Sequence, residues 1–243
     1  MLGGIIKKNM TAIIGYTHEK ENNRIGVLCT DDLNGWSGTK VDKMSKINNR
    51  FAFAIAGLES VHWAIDYGIT YLDQFNGSKK SIDSINDLED ELNEIIPTIF
   101  RRWKEANFFD NIEKQKDFRT LIVVLDTEDN KLYYSELGYV WKIDELDDYS
   151  ISMTLLEDGL YLFGVVAPQQ DYIKEDIVIE NDRDIFKYLN TRFNAFNKEF
   201  PKYVGNLGSI QINVNGEIEQ NKFYSCFSSY LDYVDNAIKR SEK

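Results

Sequence analysis

Cysteine, histidine and proline are scarce in this 243-residue chain, and each shortage removes a class of explanation. The two cysteines, Cys29 and Cys226, stand far apart with no CxxC or Cys/His spacing, and the only histidines are His18 and His62. A zinc site would have to gather isolated ligands from distant positions, so neither metal nor cofactor is expected. So little cysteine also fits a reducing compartment, and the expected location is the cytoplasm. Three prolines and 15 glycines exclude collagen-like and low-complexity chains. Basic clusters are missing: 28 basic against 40 acidic side chains leave a formal charge of −12. Nothing in the chain would displace counterions from a phosphate backbone, which argues against nucleic acid as a partner. The longest apolar runs, 51-FAFAIAGL-58 and 159-GLYLFGVVAP-168, are too short to cross a bilayer, and no membrane partner is expected. The first residues place their lysines after their apolar residues, the reverse of a secretory signal. GxSxG, GxxxxGK[ST], HExxH and GxGxxG motifs are absent, which sets aside several common hydrolase and nucleotide-binding chemistries. His18 beside a charged loop reads as a solvated surface residue, and His62 as a boundary residue on a helix.

What the chain does have is apolar surface to bury. Hydrophobic residues make up 43% and aromatics 13%, enough for a large core. The first sixty residues read as strands: 11–18 and 25–30 joined by a polar connection, then 43–47 and 51–56 joined by 48-NNR-50. After Gly57 the period changes to that of a helix, with Val61, Ile65, Ile69 and Leu72 three or four residues apart as far as Phe75. Ser81 is the expected N-cap of a second helix that runs toward Trp103, with a kink or break at Pro97. Strands resume at 118–126, 131–137, 140–144 and 160–166. A third helix is expected over 181–200, a hairpin over 208–224 turned by Asn215-Gly216, and a last helix over 228–240. Grouped strands and segregated helices predict an α+β fold with two antiparallel sheets packed together and helices outside. No linker interrupts residues 11–243, which read as one domain, with residues 1–10 as a leader or a mis-assigned start.

One set of residues carries chemistry in combination. Thr11 opens an apolar strand, an acidic residue ends the next strand, Lys43 opens the third and Gly57 ends the fourth. The segments 11-TAIIGY-16, 26-GVLCTDD-32 and 43-KMSKINNRFAFAIAG-57, with the helix after them, resemble proteasome β-type subunits and the related bacterial peptidases. The resemblance implies a four-layer αββα sandwich of the N-terminal-nucleophile hydrolases, with the two antiparallel sheets between helical layers. It also implies a threonine peptidase that cuts peptide or protein substrates. Its catalytic residues would be Thr11, Asp32 and Lys43, with Gly57 as the oxyanion donor and Ile55 lining a substrate pocket. Partners implied by the resemblance are further copies of the chain, as a homo-oligomer or ring, and an unfoldase.

The chemistry such a set performs is simple to state. A threonine hydroxyl is activated when the free α-amine of the same residue takes its proton. A nearby ammonium lowers the pKa of both groups, because like charges disfavour further protonation. Lys43 would supply that charge, and Asp32, with Asp31 beside it, would hold Lys43 in place. Three departures from the pattern stand in the sequence. Met10 precedes Thr11 where a glycine is usual, although Met10 as initiator would be removed before so small a residue. Val165 follows Gly164 where a serine is expected, and 203-YVGNLGS-209 lacks an aspartate. The alternative reading is a catalytically silent scaffold or binding subunit of a ring.

Overall fold

The computed structural model describes residues 11–20, 23–33, 42–57, 59–69, 81–105, 120–137, 150–168, 182–214 and 220–224. The expected strand at 140–144, the helix at 228–240, the Asn215-Gly216 turn and the leader at 1–10 lie outside the described residues.

Alternating apolar residues build two five-stranded antiparallel sheets. The strands of the first are β1 (Ala12–Lys20), β2 (Asn23–Asp31), β8 (Gly159–Gly164), β9 (Leu207–Val214) and β10 (Gln220–Tyr224), in the order β10-β9-β2-β1-β8. Those of the second are β3 (Met44–Ile47), β4 (Phe51–Ala56), β5 (Thr120–Asp126), β6 (Lys131–Leu137) and the two-residue β7 (Thr154–Leu155), in sequence order. The helices are α1 (Glu59–Tyr67), α2 (Ile85–Glu105) and α3 (Asp182–Glu199). This is the α+β arrangement of two antiparallel sheets expected from the sequence.

Strand alternation sorts the side chains among three apolar clusters. Ile13 and Leu28 of the first sheet meet Met44, Ala52, Ala54, Val123 and Leu125 of the second, which forms the seam between the sheets. On β4 the alternate residues Phe51, Phe53 and Ile55 face the other way and pack with Val61 and Ile65 of α1 and with Leu88, Leu92 and Ile96 of α2. On the other sheet Ile14, Val27 and Cys29 pack with Ile185, Leu189 and Phe193 of α3. Strands β1, β2 and β4 therefore have apolar residues on both faces, which is why they read as nearly continuous apolar runs.

Two local expectations are corrected. Helix α2 is capped by Ser84 rather than Ser81: the Asp87 N–H donates to Ser84 Oγ at 3.2 Å, and the hydroxyl donates back to Asp87 Oδ2 at 2.7 Å. The Ser-x-x-Asp spacing forms a reciprocal cap that a serine three residues earlier lacks. Pro97 does not break the helix, which runs through it from Ile85 to Glu105.

Candidate active site

Six stretches of chain meet at one end of the sheet pair. Thr11, 8% exposed, precedes β1, and its carbonyl accepts a 3.0 Å hydrogen bond from the N–H of Val165, just past β8. Gly164 has φ +73°, and a Cβ there would fall 2.0 Å from the Thr11 carbonyl oxygen and 3.2 Å from Cβ of Ala56. Only glycine lets β8 come this close. The same contact brings Ala56, at the end of β4, close to the Thr11 carbonyl. Gly57 itself has φ +130°, which suits glycine at this strand-to-helix junction.

Beneath Thr11 lies a buried charge pair. Lys43 Nζ is 2.9 Å from both carboxylate oxygens of Asp31, which is fully buried. Asp31 Oδ1 also accepts the N–H of Ala12 at 2.8 Å, and Oδ2 accepts those of Gly205 at 3.0 Å and Leu33 at 3.2 Å. Burial pushes the Asp31 carboxyl up from its ordinary range, while the Lys43 ammonium and the backbone N–H groups pull the other way. Every one of these donors prefers the ionised carboxylate.

The expected partner of Lys43 is thereby corrected: it is Asp31, not Asp32. Asp31 is the last residue of β2, paired with Leu207 of β9 across an irregularity in the register, and Asp32 lies one residue beyond it. A single-residue step along a strand turns the side chain to the other face. Asp32 instead fastens the neighbouring loop, accepting the Asn206 N–H at 2.9 Å while its own N–H donates to the Asn206 carbonyl at 3.0 Å. The loop is packed too closely for side chains, since a Cβ at Gly205 would lie 2.1 Å from Asp32 Oδ1.

Gly205 and Ser209 are site residues that the sequence reading missed as such. Gly205 feeds Asp31 directly. The buried Ser209 donates through Oγ to Asp42 Oδ1 at 3.1 Å, which ties β9 to the residue before Lys43. The glycines of 203-YVGNLGS-209 are the available signal, marking where backbone approaches another chain segment. Ile55 is 5% exposed, with its side chain in the apolar cluster under α1 and α2.

Other chemistries find less support nearby. Burial pushes the Cys29 thiol far up, and its Sγ faces the Ile14 carbonyl at 3.5 Å, so it is no thiolate nucleophile. Among the described residues, no three His, Cys, Asp or Glu side chains are grouped to hold a metal ion. No helix among them is long and apolar enough to cross a membrane.

Neither a family profile nor a curated protein matches the sequence. Similar solved structures include the Anbu (Gly-1) mutant from Hyphomicrobium sp. strain MC1, at 10% identity and TM-score 0.48, covering 95% of this chain and 94% of that one. Another is Anbu (ancestral beta-subunit) from Yersinia bercovieri, at 7% identity and TM-score 0.48, covering 96% of each chain.

Proposed function

We propose that the chain is a proteasome-like N-terminal-nucleophile hydrolase that cleaves peptide bonds through an acyl-enzyme on Thr11. The observation that carries this reading is the buried Lys43–Asp31 pair, anchored to the N–H of Ala12, the residue that follows Thr11. A charge pair is costly to bury, and in this reading Lys43 tunes the amine and hydroxyl of a terminal threonine.

In this mechanism the Thr11 hydroxyl attacks the substrate carbonyl carbon while its own α-amine takes the hydroxyl proton. Lys43 holds a positive charge beside both groups, and Asp31 holds Lys43. The Gly57 N–H faces the developing oxyanion, an interaction worth about 3–4 kcal/mol in the transition state. The architecture of the reading is the four-layer αββα sandwich, assembled as a homo-oligomer or ring in the cytoplasm and supplied with protein substrates by an unfoldase.

The mechanism requires a free amine, because a peptide nitrogen cannot accept the proton. Met10 precedes Thr11 in the chain. That observation favours a second reading, a silent ring subunit, wherever Met10 is retained. The two separate in one experiment: a chain beginning at Thr11 and the full chain are treated with an epoxyketone or β-lactone and weighed by mass spectrometry. The Thr11-initiated chain is expected to gain one adduct on Thr11, retained in part by Thr11→Ser and lost in Thr11→Ala. An adduct that survives Thr11→Ala, or none at all on a folded Thr11-initiated chain, leaves the scaffold reading in its place.

A further inference from the structure

A second reactive arrangement lies between β3 and α1. Ser45 sits on β3 directly across from Phe53 of β4. The His62 ring, 7% exposed, packs edge-on against that phenyl ring, with centroids 5.2 Å apart and planes at 83°. This contact turns Nε2 toward the strand, where it lies 2.8 Å from Ser45 Oγ. One helical turn on, Asp66 Oδ2 accepts from the same hydroxyl at 3.1 Å and lies 3.4 Å from the same nitrogen. Asp42, held by Ser209, adds a second carboxylate whose field reaches His62.

The pieces are a hydroxyl, a base within proton-transfer distance, and negative charge to receive an imidazolium. In a Ser-His-Asp triad the carboxylate orients the imidazole from Nδ1. Here the Phe53 ring packs edge-on against the imidazole, and Asp66 stands at the Nε2 side. Ser45 is half-buried and the Asp66 side chain is 45% exposed, which opens this edge of the cluster to small reagents.

We propose that Ser45 is a second nucleophile, with His62 as its general base, and that it takes the acyl or phosphonyl group of small activated esters and fluorophosphonates. With an aryl ester, the Ser45 hydroxyl turns from Asp66 to the unprotonated Nε2 of His62, Oγ bonds to the carbonyl carbon and the proton passes to Nε2. The C–O bond to the aryl group breaks, and the phenolate leaves with the electron pair. The imidazolium rests beside Asp66, within the field of Asp42, until it gives its proton to solvent. Water then hydrolyses the acyl-serine, with neutral His62 again as base. A phenolate or fluoride departs without a proton, so the cluster needs no acid for the leaving group. An amine does need one, which separates this chemistry from peptide cleavage at Thr11.

The test uses the full chain and its Thr11→Ala variant, each treated with a fluorophosphonate, with intact mass and peptide mapping as readouts. One phosphonyl adduct on Ser45 is expected in both, at equal rates, so the outcome does not depend on the Thr11 mechanism. Ser45→Ala, a near-isosteric change, should abolish the adduct. His62→Gln should slow labelling roughly 100-fold or more, the usual worth of a general base. Asp66→Asn should slow it several-fold. Absence of an adduct on Ser45, or equal labelling rates for the parent and a folded His62→Gln chain, overturns the proposal. So does an unchanged adduct in Ser45→Ala, which remains decisive if His62→Gln fails to fold.

Discussion

At the Thr11 end of the sheet pair, the polar closure is an ammonium set on a carboxylate. At the other end, where β5 turns into β6, neutral amides join the two sheets, while the Arg50–Asp126 ion pair stays within the second sheet. Asn130, in the left-handed region at φ +55°, donates through Nδ2 to the Arg24 carbonyl at 2.7 Å and takes the Thr17 hydroxyl on its own carbonyl at 2.7 Å. Asn213 of β9 donates to Asn130 Oδ1 at 2.6 Å and to the Thr127 carbonyl. The turn fits against β2 because Gly26 has no side chain: a Cβ there would lie 2.7 Å from Leu125 and 3.1 Å from Asn130 Oδ1. Both ends bind one sheet to the other through buried polar groups, but by different energetics. Amides lose little on leaving water once every group is paired. Ions lose much, and only close mutual contact offsets the loss. The amide end joins the sheets through neutral groups, whereas the charged end joins them through a buried ion pair that also holds the N–H of Ala12.

The sharpest way to break this comparison is to remove one ion. Lys43→Ala is expected to cost about 3–5 kcal/mol, because it leaves the Asp31 carboxylate buried without its counter-charge. The double variant Asp31→Asn/Lys43→Met should recover part of that stability, because an amide oxygen still accepts from the backbone N–H groups around Asp31, while abolishing Thr11 chemistry. Urea denaturation of the three chains checks both statements, and equal stability of Lys43→Ala and the parent would show that the pair is not buried as a unit. At the amide end, Asn213→Ala should cost less, about 1–3 kcal/mol, since it strands neutral acceptors only. It should also leave Thr11 acylation unchanged, a contrast that sharpens the division between the ends.

The smallest expected effect concerns the rim beside the amide end. Asp158 accepts from Arg24 and from the N–H of Glu19. Burial raises its pKa, but Arg24 and the Glu19 N–H outweigh this and hold it below the ordinary carboxylate value. A depressed acid stabilises the fold above its unfolded pKa, and that contribution is lost as pH falls through the folded value. The contribution is therefore full at pH 6 and fades below about pH 4. This half-exposed pair contributes under about 1 kcal/mol. Thermal melts of the parent and Asp158→Asn should differ slightly at pH 6 and converge near pH 3.

The hairpins around 48-NNR-50 and the amphipathic period of α1 and α2 were legible in the residues, because each is fixed by local pattern. Thr11, Lys43 and Gly57 were legible as a spaced set at strand ends. Asp31 was not separable from Asp32, since both lie at the end of a strand whose register depends on β9, about 175 residues later. β7, two residues long, is too short to show a period. The seat of Ile55 in the core follows from β4 having an apolar partner on each face, which alternation alone does not distinguish from a one-sided strand.

The Gly164 contact also has a consequence in time. The carbonyl of Thr11 finds its donor only in Val165, and the carboxylate of Asp31 completes its shell only with Gly205. During synthesis the first strand emerges long before either partner exists, and contacts this distant in sequence form slowly. The residues around Thr11 can therefore take up their final geometry only after Gly205 has been made, so this end of the sheets closes late although its first strand is made early.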